Sequence, residues 1–375
     1  MEERRINKTA KDQISFITYL MSKFAVEYKM NRLKLFIIVI PFLIIMTSCF
    51  LHKEPTQTEV FIATVWKNGE VQRLTDGTFS AEATSVYISG DYVYVCGYEY
   101  NAQNIKVAKL WKNGIVQNLS DGINNATAYS VFVSNNDVYV VGVDGDKAKL
   151  WKNGESQNLL NGVCARSVCV SGNDVYVAGV VSTQQNFIFT TATLWKNGEI
   201  QNLANASTLF DSEALSVYVA GNDVYVTGWG GKEQRSNSIA KLWKNGEEYD
   251  LTDGSYIANA YCVFVSGSNV YVVGEKSGIM GPSTATLWIN GEEQSLTDGS
   301  QFAYSRTGFV SENDVYIVVR DGYDIKLWKN GEIQYTFGGD NADFFWAGLH
   351  SNSIYVSSGD VYVVGYIRET REISK

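Results

Sequence analysis

The sequence predicts an all-β fold of seven repeated four-stranded units, and three observations lead to this prediction. The tetrapeptide WKNG or a close variant occurs seven times after residue 60, at intervals of 40 to 48 residues. A second motif, close to DVYVVG, alternates with it and also occurs seven times. β-branched and aromatic residues are frequent in and around both motifs, and each motif contains glycine, as expected for strands joined by tight turns. A period of this length with strand-type composition is typical of the blades of a β-propeller.

One repeat shows how each unit divides into four strands, labelled A to D. In the repeat 130–159 the strands are predicted at 130–133, 137–142, 147–152 and 155–159. Short polar turns link A to B and C to D, and the C–D turn is Asn153-Gly154. Asn-Gly favours a type I′ hairpin because both of its residues accept positive φ. Each unit is therefore predicted to be an antiparallel meander.

The two ends of the repeated region complement each other. It begins with a C–D pair at 61–74 and finishes with an A–B pair at 353–365. We therefore predict a seven-bladed β-propeller of four-stranded antiparallel blades over residues 60–368, followed by a C-terminal tail at 369–375. Its last blade is closed by the N-terminal C–D and C-terminal A–B strands, which pairs edges that would otherwise be open to aggregation.

Residues 1–48 are predicted to be a signal peptide rather than part of this fold. The apolar run LFIIVIPFLII at 35–45 follows Arg32 and Lys34. It is shorter than the roughly 20 residues that a membrane-spanning helix needs, and its basic flank is typical of a signal peptide. A buried or membrane-spanning helix is the alternative interpretation. Translation is expected to begin at Met30, where MNRLKLF is a well-formed start.

The sequence MTSC at 46–49 resembles the lipobox of bacterial lipoproteins. This resemblance implies that Cys49 is lipidated and that residues 49–59 form a tether between the lipid and the fold. We therefore expect the chain to be attached to a membrane through its N-terminal lipid, in the bacterial cell envelope, at the outer membrane or the cell surface.

The composition excludes several classes of function. The net charge is −9, so a basic face for nucleic acid is not expected. His52 and His350 are the only histidines in the sequence, which excludes a multi-histidine metal site. No zinc-protease, nucleophile-elbow, phosphate-loop or dinucleotide motif occurs, so no cofactor is predicted. The four cysteines after residue 60 replace other residues of the repeat and predict no disulfide framework. We expect a monomer.

Two known propeller types share parts of the repeat. NDVYVTG at 222–228 resembles the YVTN-type repeat, and SGNDVYVAG at 171–179 resembles the chromosome-condensation-regulator type. The WD dipeptide, the kelch double glycine and the sialidase Asp-box are missing from the sequence. The chain thus resembles a propeller lipoprotein of the bacterial envelope with LWKNG-type repeats, which implies a fold and a location but no activity.

The sequence differences between the repeats are concentrated at one face of the predicted propeller. The A–B and C–D turns are short and nearly identical, whereas the B–C and D–A loops at the opposite end differ greatly in length and sequence. We therefore interpret the loop end as the functional face, because binding residues usually lie on loops of a rigid scaffold. The alternative is that these loops vary because nothing constrains them.

Several residues of this face are candidate ligand contacts. The loop at 338–346 is rich in acidic and aromatic residues, among them Asp340, Asp343 and Trp346, and Trp229 also departs from the repeat. The residues that precede each strand A are expected to surround the mouth of the central channel. These are Thr84, Tyr129, Arg166, Leu215, Tyr261, Arg306 and Asn352. Arg166 and Arg306 could hold an anion there or pair with carboxylates of the rim.

Two functions remain open from the sequence. The first is a lipid-anchored, non-catalytic binding or scaffold module for a protein or glycan. The second is a carbohydrate-active hydrolase or lyase, which needs a pair of carboxylates. Asp211 with Glu213, and Asp340 with Asp343, are the candidate pairs. No catalytic motif surrounds either pair, so the binding function is favoured.

Overall fold

The computed structural model describes residues 57–182, 190–203, 211–231, 237–278, 281–337 and 353–372. The described residues form 28 β-strands and contain no helix. None of them therefore belongs to a helix that could cross a membrane. The contacts divide the chain into one unit at Glu59–Arg371, which contains the repeats, and a second at Met1–Thr58 with Glu372–Lys375. The all-β prediction is confirmed.

The strands form seven antiparallel sheets, each of which is one blade of a β-propeller. Blade 1 contains β3 (Ala81–Ser89), β4 (Tyr92–Tyr100), β5 (Lys106–Lys112) and β6 (Ile115–Asn118). Blade 2 contains β7 (Ala126–Ser134), β8 (Asp137–Asp144), β9 (Lys147–Lys152) and β10 (Glu155–Asn158). Blade 3 contains β11 (Gly162–Ser171), β12 (Asp174–Ser182), β13 (Thr190–Lys196) and β14 (Glu199–Asn202). Blade 4 contains β15 (Ser212–Ala220), β16 (Asp223–Gly230), β17 (Ile239–Lys244) and β18 (Glu247–Asp250).

The remaining blades repeat the same order of strands. Blade 5 contains β19 (Ile257–Ser266), β20 (Asn269–Ser277), β21 (Ser283–Ile289) and β22 (Glu292–Ser295). Blade 6 contains β23 (Ala303–Ser311), β24 (Asp314–Asp321), β25 (Asp324–Lys329) and β26 (Glu332–Phe337). Blade 7 contains β27 (Ile354–Ser357), β28 (Asp360–Glu372), β1 (Gln57–Lys67) and β2 (Glu70–Arg73). β1 and β28 thus extend a few residues beyond the predicted limits of 60–368.

Blade 7 joins the two ends of the repeated region, as predicted. Its strand order is β2-β1-β28-β27, so β1 pairs with β28. Across this junction the Asn68 amide donates to the Val361 carbonyl (2.9 Å), and Arg368 forms an ion pair with Glu59 (3.0 Å). The innermost strand β27 contacts both β23 of blade 6 and β3 of blade 1. The ring of innermost strands is therefore closed.

The repeated tryptophans pack between neighbouring blades. Trp151 of blade 2 lies in one cluster with Tyr94 and Leu110 of blade 1, and Trp195 of blade 3 packs with Tyr139 of blade 2 in the same way. Six of the seven are buried, and Trp328 is half-buried. Each tryptophan therefore fills the space between its own blade and the preceding one.

A hydrogen-bonded clamp stabilises the end of each blade that carries the A–B and C–D turns, which we call the constant face. In blade 2 the carboxylate of Asp137 accepts hydrogen bonds from Lys152 Nζ (2.7 Å) and Asn153 Nδ2 (2.8 Å). The Asn153 Oδ1 atom in turn accepts from the Val138 amide (2.8 Å). The same carboxylate clamp recurs in blades 3, 4, 6 and 7, on Asp174, Asp223, Asp314 and Asp360. The DVYV and WKNG motifs are thus two halves of one clamp.

One side-chain position of the innermost strands narrows the central channel. These residues, the waist, surround a cavity of ≈120 Å³ that all seven innermost strands line. The waist consists of Tyr87, Phe132, Cys169, Tyr218, Phe264, Phe309 and Tyr355. Tyr355 contacts both Tyr87 and Phe309, with ring centroids 4.8 and 4.6 Å away. The middle of the channel is therefore lined mainly by aromatic rings.

Phe264 departs from the rest of the waist because it packs between blades 5 and 6. It is 3% exposed and stacks on Tyr271 at a centroid distance of 5.3 Å. A Cβ atom added at Gly308 would lie 2.2 Å from the Phe264 ring. In five other blades the position of Gly308 is occupied by Val. Glycine at 308 therefore makes the space that Phe264 fills.

We predict that Gly308→Val lowers the free energy of unfolding by about 1–3 kcal/mol, because the new side chain overlaps Phe264. Urea unfolding of the wild type and variant measures the loss. The same substitution in a Phe264→Leu background is expected to cost less, since the overlapping ring atoms are gone. Equal losses in both backgrounds would contradict this account of Gly308.

The clamps predict how stability depends on pH. Hydrogen bonds from Lys152 and Asn153 hold the pKa of Asp137 below its ordinary value of 3.8, and the four equivalent Asp residues behave alike. A carboxyl group with a lowered pKa in the folded state stabilises the fold above its ordinary pKa. That contribution is lost as the pH falls through the lowered value. The melting temperature is therefore expected to fall between about pH 4 and pH 2.

Circular dichroism melts over this pH range, on the wild type and on a variant with Asp137→Asn and Asp174→Asn, provide the measurement. The variant lacks two clamps, so its melting temperature should depend less steeply on acid pH. An unchanged slope would show that the clamps do not contribute.

Candidate functional site

The side chains at the mouth of the channel are positioned by a β-bulge that recurs in the innermost strands. In blade 1 the register passes from Ala83 to Ser85 against consecutive residues of β4, which leaves Thr84 as the extra residue. The partner strand carries Gly97 at this point, where a Cβ atom would lie 1.9 Å from the Glu82 carbonyl oxygen. In blades 1 to 5 the glycine of the DVYVVG motif therefore makes room for the bulge, whereas blade 6 forms its bulge opposite Val319. Bulges are used to redirect side chains.

The bulged residues of blades 1 to 6 are Thr84, Tyr129, Arg166, Leu215, Tyr261 and Arg306. They are the residues that the sequence analysis placed just before strand A. The structure corrects that placement, since each lies inside its strand, where the ladder continues for several residues on both sides. Asn352 lies outside the described residues. Thr84 Oγ1 donates to the Ala128 carbonyl of the next blade (2.7 Å), so the bulged side chain reaches a neighbouring blade.

Arg166 is held by partners from both neighbouring blades. Its guanidinium lies 4.9 Å from the centre of the Tyr129 ring, which belongs to the preceding blade. Its Nε atom donates to Glu213 Oε1 of the following blade at 2.6 Å. Both side chains of this ion pair are partly buried. Arg166 is therefore satisfied by the fold itself.

Arg306 has an aromatic partner equivalent to that of Arg166, the bulged tyrosine of the preceding blade, but its polar environment differs. Its guanidinium lies 4.7 Å from the ring of Tyr261 in the preceding blade and 4.4 Å from the ring of Tyr304. The Nε and Nη1 atoms of Arg306 are buried, and no described residue accepts a hydrogen bond from them. Buried donors are nearly always paired, and a charged donor left unpaired is costly. Two guanidinium donors of Arg306 are thus left without an acceptor among the described residues.

A polar network fixes the tyrosines that hold Arg306. Tyr261 donates its hydroxyl proton to Glu275, and Asn259 Nδ2 donates to the same carboxylate (3.2 Å). Arg320 Nη1 donates to the Tyr304 hydroxyl oxygen (3.2 Å). Burial, and then the charge of Glu275, raises the pKa of Tyr261 above its usual range, so the hydroxyl stays protonated. The network therefore fixes both rings around the guanidinium.

The network contains residues that the sequence analysis missed. Glu275 and Arg320 occupy the position that follows the DVYVVG motif, where Val143 and Val180 stand in other blades. A charged residue at an otherwise apolar strand position was the available signal. Asn259 and Tyr304 lie opposite them in the register of the innermost strands.

Trp229 lies in a strand rather than in a rim loop. It pairs with Glu213 in β15 and with Ala240 in β17, because the ladders of β16 continue to Gly230. Its side chain is half-buried. Trp229 thus stands beside the ion pair of Arg166. The other predicted contacts, Asp340, Asp343 and Trp346, and the predicted lipidation site Cys49, lie outside the described residues.

The carboxylates proposed for hydrolysis already have partners where the structure describes them. Glu213 pairs with Arg166, and Asp211 Oδ1 accepts from the Thr190 amide (2.8 Å). Four blades carry Thr-Asp-Gly or Ser-Asp-Gly after their outermost strand. Each of these aspartates accepts a hydrogen bond from the amide two residues later, as Asp76 does from Thr78 (2.7 Å); the others are Asp121, Asp253 and Asp298. These contacts form Asx turns. No cluster of metal-ligating side chains occurs in the described ranges.

The described cysteines do not provide a nucleophile. Cys96, Cys164, Cys169 and Cys262 are buried and free. Burial raises the pKa of the Cys164 thiol to about 11 and that of Cys96 to about 12. These thiols are therefore protonated at neutral pH, and a protonated thiol is unreactive.

Comparison with known proteins gave distant structural similarities. No family model and no curated protein matches the chain. Among solved structures it is similar to the β-propeller domain of the Trilobed protease from Pyrococcus furiosus, with 14% identity, 80% of this chain and 97% of that chain covered, and a TM-score of 0.46. It is also similar to Pyrococcus horikoshii acylaminoacyl peptidase, with 12% identity, 70% of this chain and 46% of that chain covered, and a TM-score of 0.45. The similarity to TolB from Acinetobacter baumannii has 13% identity, covers 74% of this chain and 65% of that chain, and has a TM-score of 0.43.

The chain thus spans about half the length of the acylaminoacyl peptidase, at 46%. All three similarities are too distant to transfer an activity to this chain.

The contrast between the two arginines predicts opposite effects on stability. Arg306→Met removes buried donors without acceptors and keeps an unbranched side chain between the rings, so it is expected to raise the free energy of unfolding by about 1 kcal/mol. Arg166→Met leaves Glu213 without its ion-pair partner and is expected to lower it by about 1–3 kcal/mol. Urea unfolding of both variants is the test. Losses of similar size in both would show that Arg306 is already satisfied.

Proposed function

We propose that the protein is a lipid-anchored binding module of the bacterial cell envelope that takes a protein or glycan ligand on its loop face, without catalysis. The observation that carries the proposal is the half-buried Arg306, whose buried Nε and Nη1 atoms have no acceptor among the described residues. A fold that leaves a charged donor unpaired at a channel mouth loses stability there, and binding of an anionic group offsets that loss.

The arrangement of side chains at the mouth of the channel supports ligand binding more than catalysis. The rings of Tyr261 and Tyr304 fix the guanidinium on rigid strands, and the aromatic waist lies beneath it in the same innermost strands. A rigid arginine between aromatic rings is suited to a carboxylate, sulfate or phosphate group of a ligand. Glu275 is occupied by Tyr261 and Asn259, so the described residues here offer no free pair of carboxylates for glycoside hydrolysis.

The cellular setting rests on the N-terminal sequence. The basic and apolar segment at 32–45 and the lipobox-like MTSC at 46–49 support export and lipidation at Cys49. A lipid anchor would hold the propeller at the membrane while its loop face meets a partner. The net charge of −9 agrees with the proposal that nucleic acid is not the ligand.

The proposal is tested by binding of the purified full-length chain in detergent to arrays of acidic glycans and acidic peptides. A ligand of the mouth is expected to bind Arg306→Met about tenfold more weakly than the wild type, as expected for loss of one charge-assisted contact. Lys152→Gln, on the constant face, is the matched control and should leave the affinity unchanged.

Two results would contradict the proposal. One is equal affinity of the wild type and Arg306→Met for every ligand found. The other is the appearance of new reducing ends or unsaturated products when the wild type is incubated with a panel of polysaccharides, which would assign the alternative function of a hydrolase or lyase.

A further inference from the structure

Blade 1 breaks the clamp of the constant face in a way that no other blade does. In five blades a carboxylate lies between a lysine Nζ atom at 2.7–2.9 Å and an asparagine Nδ2 atom at 2.7–2.8 Å. In blade 1 Tyr92 replaces the aspartate, while Lys112 and Asn113 keep the two donors. Blade 5 replaces the aspartate and the lysine together, by Asn269 and Ile289, and so keeps no unpaired charge.

A second acidic residue is missing from the same corner of blade 1. The residue after WKNG is glutamate in six blades and Ile115 in blade 1. Asp91, in the A–B turn next to Tyr92, is exposed. No described carboxylate forms an ion pair or hydrogen bond with Lys112. Blade 1 therefore presents a lysine whose usual carboxylate partner has been substituted and whose cross-strand neighbour is Ile115 in place of glutamate.

The two donors of blade 1 are nevertheless held where the other blades hold theirs. Lys112 Nζ lies 5.2 Å from the ring of Tyr94, and the five clamped lysines lie 5.2–5.4 Å from the equivalent ring. Asn113 Oδ1 accepts from the Val93 amide (2.7 Å), as the equivalent atom does in the other six blades. This bond turns Asn113 Nδ2 toward the position that a carboxylate occupies elsewhere. The donors are thus preorganised for a carboxylate.

These donors line a cavity of ≈490 Å³ between blades 1 and 2. Its other walls include Tyr92, Ile115 and Val116, which are 49%, 77% and 50% exposed. Lys112 covers one face of the Tyr92 ring, with its Nζ atom 4.1 Å from the ring centre. Ile115 and Val116 lie on β6, the outermost strand of the blade, which pairs only with β5. The cavity therefore combines a cationic corner with an aliphatic strand edge.

We propose that this cavity binds a segment of an acidic peptide, with a Glu or Asp carboxylate on Lys112 and Asn113 and a neighbouring aliphatic side chain on Ile115 and Val116. The carboxylate takes the place that Asp137 and its equivalents fill inside the other clamps. The edge of β6 favours a peptide over an acidic sugar, because a peptide can add main-chain hydrogen bonds to the outermost strand as well as aliphatic contacts. The site is on the constant face and is independent of the mouth around Arg306.

The test uses the full-length protein and the peptide Ac-Leu-Glu-Leu-NH2 as probe in isothermal titration calorimetry. Ac-Leu-Gln-Leu-NH2 and methyl glucuronide are the comparison ligands. The glutamate peptide is expected to bind at least about tenfold more tightly than the glutamine peptide, as expected for one charge-assisted hydrogen-bond pair. Lys112→Gln should lose the same factor, and Lys152→Gln, the equivalent substitution in blade 2, should lose none.

Tyr92→Asp is the decisive variant because it supplies the carboxylate that five blades already contain. It is expected to abolish binding of the peptide while leaving the melting temperature unchanged or raised, so loss of binding is separated from loss of folding. The proposal would be overturned if Tyr92→Asp bound the peptide as tightly as the wild type does. It would also be overturned if the two peptides bound equally or if neither bound. Preferential binding of the glucuronide would overturn the peptide assignment.

Discussion

The structure depends on the pairing of β1 with β28, which joins the two ends of the repeated region in one sheet. Every blade buries its tryptophan against the blade before it, so a row of such blades would leave one apolar face open at each end. Pairing of the ends gives blade 1 a neighbour in blade 7 and completes the last blade at the same time. The rigid positions of both faces of the propeller follow from this closure, because each innermost strand is held between two others.

Much of the fold could be predicted because its determinants are local and repeated. The Asn-Gly turn, the alternation of the strands and the buried tryptophan recur in each blade, and the incomplete pairs at the two ends imply closure. The bulges could not be predicted in this way, because an extra residue becomes visible only when two strands are aligned. For this reason Arg166 and Arg306 were expected before their strands and Trp229 in a loop, whereas all three lie within strands.

The candidate site was predicted in part, for the same physical reason. The bulged residues were selected by their position in the repeat, but their environments depend on side chains that the repeat does not specify. Arg166 and Arg306 have equivalent positions and equivalent tyrosine partners, yet Glu213 satisfies one and no described residue accepts from two buried nitrogens of the other. Glu275 and Arg320, which shape the second environment, stand where other blades carry valine and were missed.

Because the blades repeat, each residue can be compared with the residues at the equivalent position of the other blades. In five blades a lysine, an asparagine and an aspartate form the clamp on the constant face, so this set of residues is compatible with the fold at most positions of the ring. Blade 5 shows that the charge can be removed together with its partner. Blade 1 instead keeps both donors, and the Tyr92 ring contacts Lys112 where the other blades place a carboxylate. The position of an acceptor is thus left to another molecule in blade 1, and on the opposite face the two buried nitrogens of Arg306 that lack an acceptor among the described residues lead to the corresponding proposal.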